Sequence, residues 1–257
     1  MAEGDSIARL AARLHAATAG RTVVGGAFRH PRLALADLSG QRIEAWLPRG
    51  KHLLMRTSAG LTLHSHLRMS GSWSVLGPGK RLPRSVEARV LLRLDDGRTL
   101  AGVALPVLDL VLTRDEARVV GHLGPDLLAA DFDDGRAARR LRATPDTAAI
   151  AALLDQRRVA GLGNMWAGEL CFLHRVNPWR PIGEVDVGPL LDDARARLRE
   201  AVATNPRQVT TGDPRHPHWV YGRARRPCHR CGTPVAFRPA ARTPHGRETW
   251  WCPGCQR

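Results

Sequence analysis

The chain has 257 residues, 43% of them hydrophobic, and its 39 Lys and Arg exceed its 24 Asp and Glu to leave a formal charge of +15. That length holds one large domain or two modest ones, and no apolar run approaches the roughly 18–20 residues that carry a helix across a bilayer. The acidic start Met1-Ala2-Glu3-Gly4-Asp5 lacks the basic region of a secretory signal, so the expectation is a cytoplasmic protein with a polyanionic partner, nucleic acid ahead of a membrane surface.

Residues 5–19 predict an amphipathic helix. Ile7, Leu10, Leu14 and Ala17 recur at three- and four-residue intervals, Asp5 or Ser6 can cap the start, and Gly20 can end it. From 22 to about 115 the pattern changes to short β stretches at 42–47, 52–56, 61–66, 88–94 and 99–103, with Asp95-Asp96-Gly97 as a hairpin turn. The expected architecture is a β-sandwich or barrel with the first helix packed on it. Residues 77–83 contain two Gly and two Pro and read as an exposed loop. A polar, Arg- and Asp-rich stretch near 130–145 reads as a linker. Helices follow at 147–156, capped by Asp146, at 164–173, and at 189–203, where Leu190, Leu191, Ala194, Leu198 and Val202 share a face. Residues 205–217, with three Pro and one Gly, should be a loop.

Four of the five cysteines form two pairs, Cys228-His229-Arg230-Cys231 and Cys252-Pro253-Gly254-Cys255, separated by twenty residues. Each pair closes a knuckle, the interval accommodates a β-hairpin, and four thiolates at this spacing suit one tetrahedral Zn²⁺. A disulfide framework is the alternative, disfavoured by the scarcity of cysteine elsewhere. So short a segment cannot bury a core of its own, so the metal would supply its folding energy. Cys171, inside a helical stretch, reads as a small buried hydrophobe. Trp250 and Trp251 flank a knuckle and should cover the hairpin. Residues 207–257 hold ten Arg and no Lys against one Asp and one Glu, a concentration of guanidinium forks suited to phosphate.

Gly161-Leu162-Gly163-Asn164 breaks one helix and opens the next. Backbone N–H groups at that start, with the Asn164 amide, form a ready phosphate site, although such turns also occur as plain connections. His64 and His66 face the same side of one stretch, but no third ligand accompanies them in the sequence, so metal ligation there is not expected.

Further segments join these signals: Arg49-Gly50-Lys51-His52-Leu53-Leu54, His66-Leu67-Arg68-Met69-Ser70-Gly71, Leu123-Gly124-Pro125-Asp126, and Trp219-Val220-Tyr221-Gly222-Arg223 leading to Gly246-Arg247. Together with Glu3-Gly4-Asp5, the turn and the cysteine pairs, they make the chain resemble the formamidopyrimidine-DNA glycosylase/endonuclease VIII family nearly end to end. The Trp219–Arg223 run and the lack of a Pro-Arg-Arg-Phe-Gly segment look more like the endonuclease VIII branch, especially its actinobacterial second form.

The resemblance implies an α+β multidomain fold. Residues 1–125 would form a catalytic domain with an N-terminal helix on a β-sandwich, 126–146 a linker, 147–222 a helix-two-turn-helix domain, and 223–257 a zinc-finger β-hairpin. Bent double-stranded DNA containing a damaged base or abasic site would be bound by a monomer, with the damaged nucleotide turned out of the stack. The implied activity is removal of oxidised or otherwise damaged bases, pyrimidines favoured, followed by abasic-site lysis. In the family the N-terminal proline amine attacks C1′ of the nucleotide; here position 2 is Ala. A processed Ala2 offers a primary amine with a reference pKa near 7.7–8.0, able to form an imine but lacking the pyrrolidine ring. The alternative is a monofunctional or non-catalytic damaged-DNA-binding paralogue that has lost the nucleophile. Glu3 matches the general acid/base, and Lys51 the lysine that contacts phosphate and supports elimination. Arg247 matches the phosphate-clamping arginine. Arg68 and Met69 match the loop that fills the gap left by the everted nucleotide, although Met69 could instead be core beneath a strand end. His122 stands where the family often has an Arg on phosphate, and Asn164 opens the phosphate-binding turn.

Overall fold

The computed structural model describes residues 2–84, 87–204 and 208–257. Met1 and positions 205–207 of the expected loop lie outside them. The chain divides into two compact units, one of Met1–Ala2 with Ser6–His122, the other of Glu3–Asp5 with Leu123–Arg257.

In the first unit, helix α1 (Gly4–Thr18) is followed by eight strands: β1 (Val23–Phe28), β2 (Ile43–Arg49), β3 (His52–Thr57), β4 (Leu61–His66), β5 (Ser72–Leu76), β6 (Ala88–Leu94), β7 (Thr99–Val103) and β8 (Val107–Leu112). They form two antiparallel four-stranded sheets, ordered β1-β6-β7-β5 and β2-β3-β4-β8. Alternation puts Val90, Leu92, Leu94 and Leu100 of one sheet into the same core as Ile43, Trp46, Met55 and Leu63 of the other, and Ile7, Ala11 and Leu14 of α1 join them. This is the expected sandwich with its helix. The helix starts one residue earlier than expected, so neither Asp5 nor Ser6 lies ahead of its first turn to cap it. Gly20, at φ +81°, ends it as expected. Strands β1, β5 and β8 were not marked by the sequence pattern. β1 contains the Gly25-Gly26 pair, and Leu91 O lies 2.3 Å from where a Gly26 Cβ would stand, so a close backbone approach replaces side-chain alternation there. A short helix, α2 (Ala117–Val120), ends the unit.

The second unit is built on α3 (Asp134–Leu141), α4 (Ala149–Leu154), α5 (Asn164–Leu173), α6 (Val187–Ala203) and a hairpin of β9 (Ala236–Arg238) and β10 (Thr249–Trp251). The stretch expected as a linker carries α3. Asp133 accepts a capping hydrogen bond from Arg136 N at 2.7 Å, and Ala137 and Leu141 are buried in the helical core. The charge that suggested a linker belongs to the outer face of this amphipathic helix. Asp146 does not cap α4, whose N-cap is Ala148 with no side-chain bond. α5 has the expected limits, and nine of its ten residues are buried, so it runs through the middle of this unit. α6 buries Leu190, Leu191, Ala194 and Leu198 as expected, with Ala201 rather than Val202 completing the stripe. Trp250 packs on Tyr221 and Phe237, and Trp251 on Trp179, so both tryptophans cover the hairpin. Among the described residues no helix is long and apolar enough to cross a membrane.

Candidate functional site

Glu3 is fully buried, and its carboxylate occupies the start of α5. Oε2 accepts from Gly163 N at 2.8 Å and Trp166 N at 3.4 Å, and Oε1 accepts from Met165 N at 3.0 Å. A helix start leaves such N–H groups unpaired and carries positive potential, so the carboxylate oxygens supply the acceptors those groups lack. This corrects the sequence reading of the turn. The backbone donors expected to cradle a phosphate are taken by Glu3, leaving the Asn164 side chain, whose Nδ2 donates to Glu248 O at 2.9 Å.

The two glycines of the turn have separate reasons. Gly161 sits at φ +111°, in the left-handed range, and its carbonyl accepts from Gly4 N at 2.9 Å. A Cβ on Gly163 would lie 2.3 Å from Glu3 Cδ and 2.5 Å from Oε1, so only glycine admits this carboxylate. Gly163→Ala should therefore destabilise the protein by about 1–3 kcal/mol, lowering the melting temperature by roughly 2–12 °C. A melting curve superimposable on the wild type would refute that account of the turn.

Two residues to which the sequence reading gave no role at the site complete this region. Asp5 accepts from Trp166 Nε1 at 3.1 Å and from Gln208 Nε2 at 2.8 Å. Glu169, buried on α5, accepts from Trp219 N, Val220 N and Tyr221 N, each at 2.9 Å, and from the Thr210 hydroxyl. That carboxylate is why the Trp219–Tyr221 run holds its shape beside α5. A lone acid within the apolar run from Met165 to Leu173 was the available signal. Burial, then the carboxylates of Glu3 and Glu248, push the Tyr221 hydroxyl above its ordinary range.

Among the described residues, Cys228, Cys231, Cys252 and Cys255 form the group able to hold a metal ion, their Sγ atoms lying within 4.8 Å of one another. Four thiolates about 2.3 Å from a tetrahedral ion would stand about 3.8 Å apart. The Cys228–Cys255 and Cys231–Cys252 separations are 3.9 and 3.4 Å, so the donor set and its spacing fit. Cys171 is fully buried, and burial pushes its thiol up to about 12. Arg247 follows Gly246, at φ +65°, in the long connection between β9 and β10, and its backbone N–H donates to Thr243 Oγ1 at 3.0 Å.

In the first unit, Ala2 is half-buried against the sandwich core. Lys51 follows Gly50, at φ +56°, in the turn joining β2 to β3. Arg68, at φ +48°, is exposed, and Met69 is 69% exposed, which removes the reading of Met69 as core. His122 is exposed at the end of the unit.

The sequence singled out His64 and His66 but not the cluster they belong to. Strand register places His52 opposite His66 and His64 opposite Asp109. A carboxylate can only accept, so Asp109 accepts a hydrogen bond from His64 Nδ1–H at 3.0 Å, and neutral His64 then accepts at Nε2 from His52 Nδ1 at 2.8 Å. The rings of His66 and His122 approach His52 with centroids at 4.7 and 5.8 Å. Burial first, then the neighbouring imidazoles and Lys51, hold His52 down at about 3, and burial with Lys51 and Arg68 holds His66 at about 4. An unfolded imidazole titrates near 6.5, so as pH falls below that value the unfolded chain takes up protons that the folded cluster refuses. The cluster's contribution is complete above pH 6.5 and is lost as pH falls toward 4. The melting temperature should fall from pH 7 to pH 4.5 more steeply for the wild type than for His52→Phe. Equal slopes would clear the cluster.

Sequence comparison places these sites in a known family. The formamidopyrimidine-DNA glycosylase N-terminal domain matches residues 1–104, and the H2TH domain of the same enzymes matches residues 123–213. The chain belongs to the formamidopyrimidine-DNA glycosylase family, which includes the endonuclease 8 proteins. It is 49% identical over its whole length to a probable endonuclease 8 2 of Streptomyces coelicolor, covering 94% of that protein. It is 40% identical, again over its whole length, to a DNA-(apurinic or apyrimidinic site) lyase of Mycolicibacterium smegmatis, covering 99% of it. The crystal structure of MutM (Fpg) from Thermus thermophilus superposes with a TM-score of 0.81 at 31% identity, over 99% of this chain and 98% of that one.

Proposed function

We propose that the chain is a base-excision DNA glycosylase with abasic-site lyase activity, acting on duplex DNA that carries oxidised or otherwise damaged bases, pyrimidines foremost. The observation that carries this reading is the Glu3 carboxylate, held by three backbone N–H groups and directly following the residue whose amine would be the nucleophile. Once Met1 is removed, the Ala2 nitrogen lone pair forms a bond to C1′. The glycosidic bond breaks with its electrons passing to the base, which takes a proton. Loss of the amine protons and opening of the sugar ring at O4′ leave an imine, and removal of a C2′ proton expels the 3′ phosphate. Glu3 serves as the proton donor and acceptor for these transfers.

Lys51 and Arg247 are assigned to backbone phosphates, Asn164 and His122 to further backbone contacts, and Arg68 and Met69 to the space left by the everted nucleotide. Met69 is unbranched, apolar and exposed, as a wedge requires. Cys228, Cys231, Cys252 and Cys255 hold one Zn²⁺, whose role is to fix the hairpin that bears Arg247. We read the second unit as a helix-two-turn-helix part up to about residue 222 and a zinc hairpin beyond it. The protein acts as a cytoplasmic, nucleoid-associated monomer.

The test is reductive trapping. Borohydride added during reaction with abasic-site duplex should give a covalent adduct, and peptide mass spectrometry should place it on the Ala2 amine of a chain lacking Met1. An adduct on Lys51, or none, would refute Ala2 as nucleophile.

A further inference from the structure

At the knuckle end of the metal centre, Arg175, Arg180, Arg230 and Arg257 line a cavity of about 520 Å³ with Cys231, Gly254 and Cys255. None of the four guanidiniums pairs with an Asp or Glu side chain among the described residues. Gathering like charges is costly, and two of these guanidiniums are held rather than free to swing apart. The Arg230 guanidinium stacks over Phe172 at 4.4 Å and lies 5.4 Å from the Trp219 ring. Arg180 Nη2 donates to the main-chain oxygen of Arg257 at 2.6 Å. Arg175 adopts φ +56°, a conformation unusual for a side chain of its kind, where its N–H donates to Phe172 O at 3.1 Å.

Neutralisation of the cysteine cluster accounts for part of this charge. A Zn²⁺ with four thiolates carries about two negative charges, fewer than the four guanidiniums around it. The cavity also differs from the backbone-contact site assigned to Asn164. Asn164 opens α5, whereas Arg175 follows its far end, and the ten-residue helix between them is about 15 Å long.

We propose that this cavity is a second anion site, which takes a backbone phosphodiester of another DNA segment while the first segment occupies the catalytic site. Arginine forks match phosphate oxygens, and an apolar or neutral ligand would leave the charge beyond that offset by the cysteine cluster uncompensated. The choice of DNA as the source of phosphate rests on the reading of the chain as a DNA repair enzyme. The consequence is transfer between segments without full release.

The holoprotein should be titrated with a short duplex carrying a non-cleavable abasic analogue, at protein concentrations well above the dissociation constant. Two equivalents of duplex per chain are expected, the second weaker and more salt-sensitive. Arg175→Gln/Arg257→Gln should weaken the second phase at least tenfold and leave single-turnover nicking unchanged, while Arg175→Lys/Arg257→Lys should retain a second phase. Pyrophosphate should displace the second equivalent before the first. A single equivalent with normal nicking overturns this inference alone, including the case in which pyrophosphate binds but a second duplex does not. Two equivalents that persist unchanged in the Gln variant overturn the assignment to this cavity. Absence of nicking in every protein overturns the function proposed above instead.

Discussion

Replacing Glu3 with Gln should reduce nicking of abasic-site DNA by at least about 100-fold, the low end of what a positioned acid or base contributes. The same substitution should lower stability. Glu3 accepts three N–H bonds at the start of α5 with no exposed surface, and an amide turns one of its two acceptor oxygens into a donor facing another donor. Leaving a buried donor unmatched costs about 1–3 kcal/mol, or a fall of roughly 2–12 °C in the melting temperature for a chain of this size. Nicking must therefore be measured well below the variant's melting temperature, with binding to an uncleavable duplex measured alongside. Retention of nicking at wild-type rates by the folded variant would remove Glu3 from the chemistry. Loss of nicking and binding together, with an intact fold, would point to an indirect effect.

Removing the metal should have the other large effect. The hairpin strands are three residues each, and the small cluster beneath them contains Cys228 and Cys252 themselves with Phe172, Val220 and Val235. So little apolar surface cannot order the segment unaided, whereas a structural Zn²⁺ contributes on the order of 10 kcal/mol or more to small folds that depend on it. Chelation, or Cys252→Ser, should release amide-exchange protection across 223–257 and cost more than tenfold in DNA affinity. Protection in the first unit's sheets should persist, since Val90, Met55 and Leu63 pack in a core of their own. A hairpin that stays protected at zero metal content would show that the ion is dispensable.

How far the sequence could be read follows from the range of the interactions involved. The limits of α5 and of strands β4, β6 and β7 were legible because apolar spacing and flanking glycines are local signals. The cysteine cluster was legible because knuckle chemistry requires fixed spacing. β1 was not, because its Gly25-Gly26 pair answers to backbone packing against β6. Nor was α3, whose short buried stripe of Ala137 and Leu141 is outweighed by charge. At the site, Glu3 was found through resemblance, but the N–H donors it accepts from lie 160 or more positions away. Nothing near residue 163 indicates that those amides are already engaged. The imidazole cluster was half visible for the same reason, since His64 and His66 share a strand while His52 and Asp109 meet them only through register.

The stitching of Glu3, Gly4 and Asp5 to Gly161, Gly163 and Trp166 bears on how the protein should be produced. Those bonds use side chains and the amides of residues 3 and beyond, so a purification tag fused ahead of Ala2 need not disturb them. It would, however, convert the leading amine into an ordinary peptide nitrogen with no nucleophilic lone pair. On the proposed role of the Ala2 amine, such a fusion should be an inert reference, folded and able to grip its duplex, and assays intended to detect turnover call for a scarless front end.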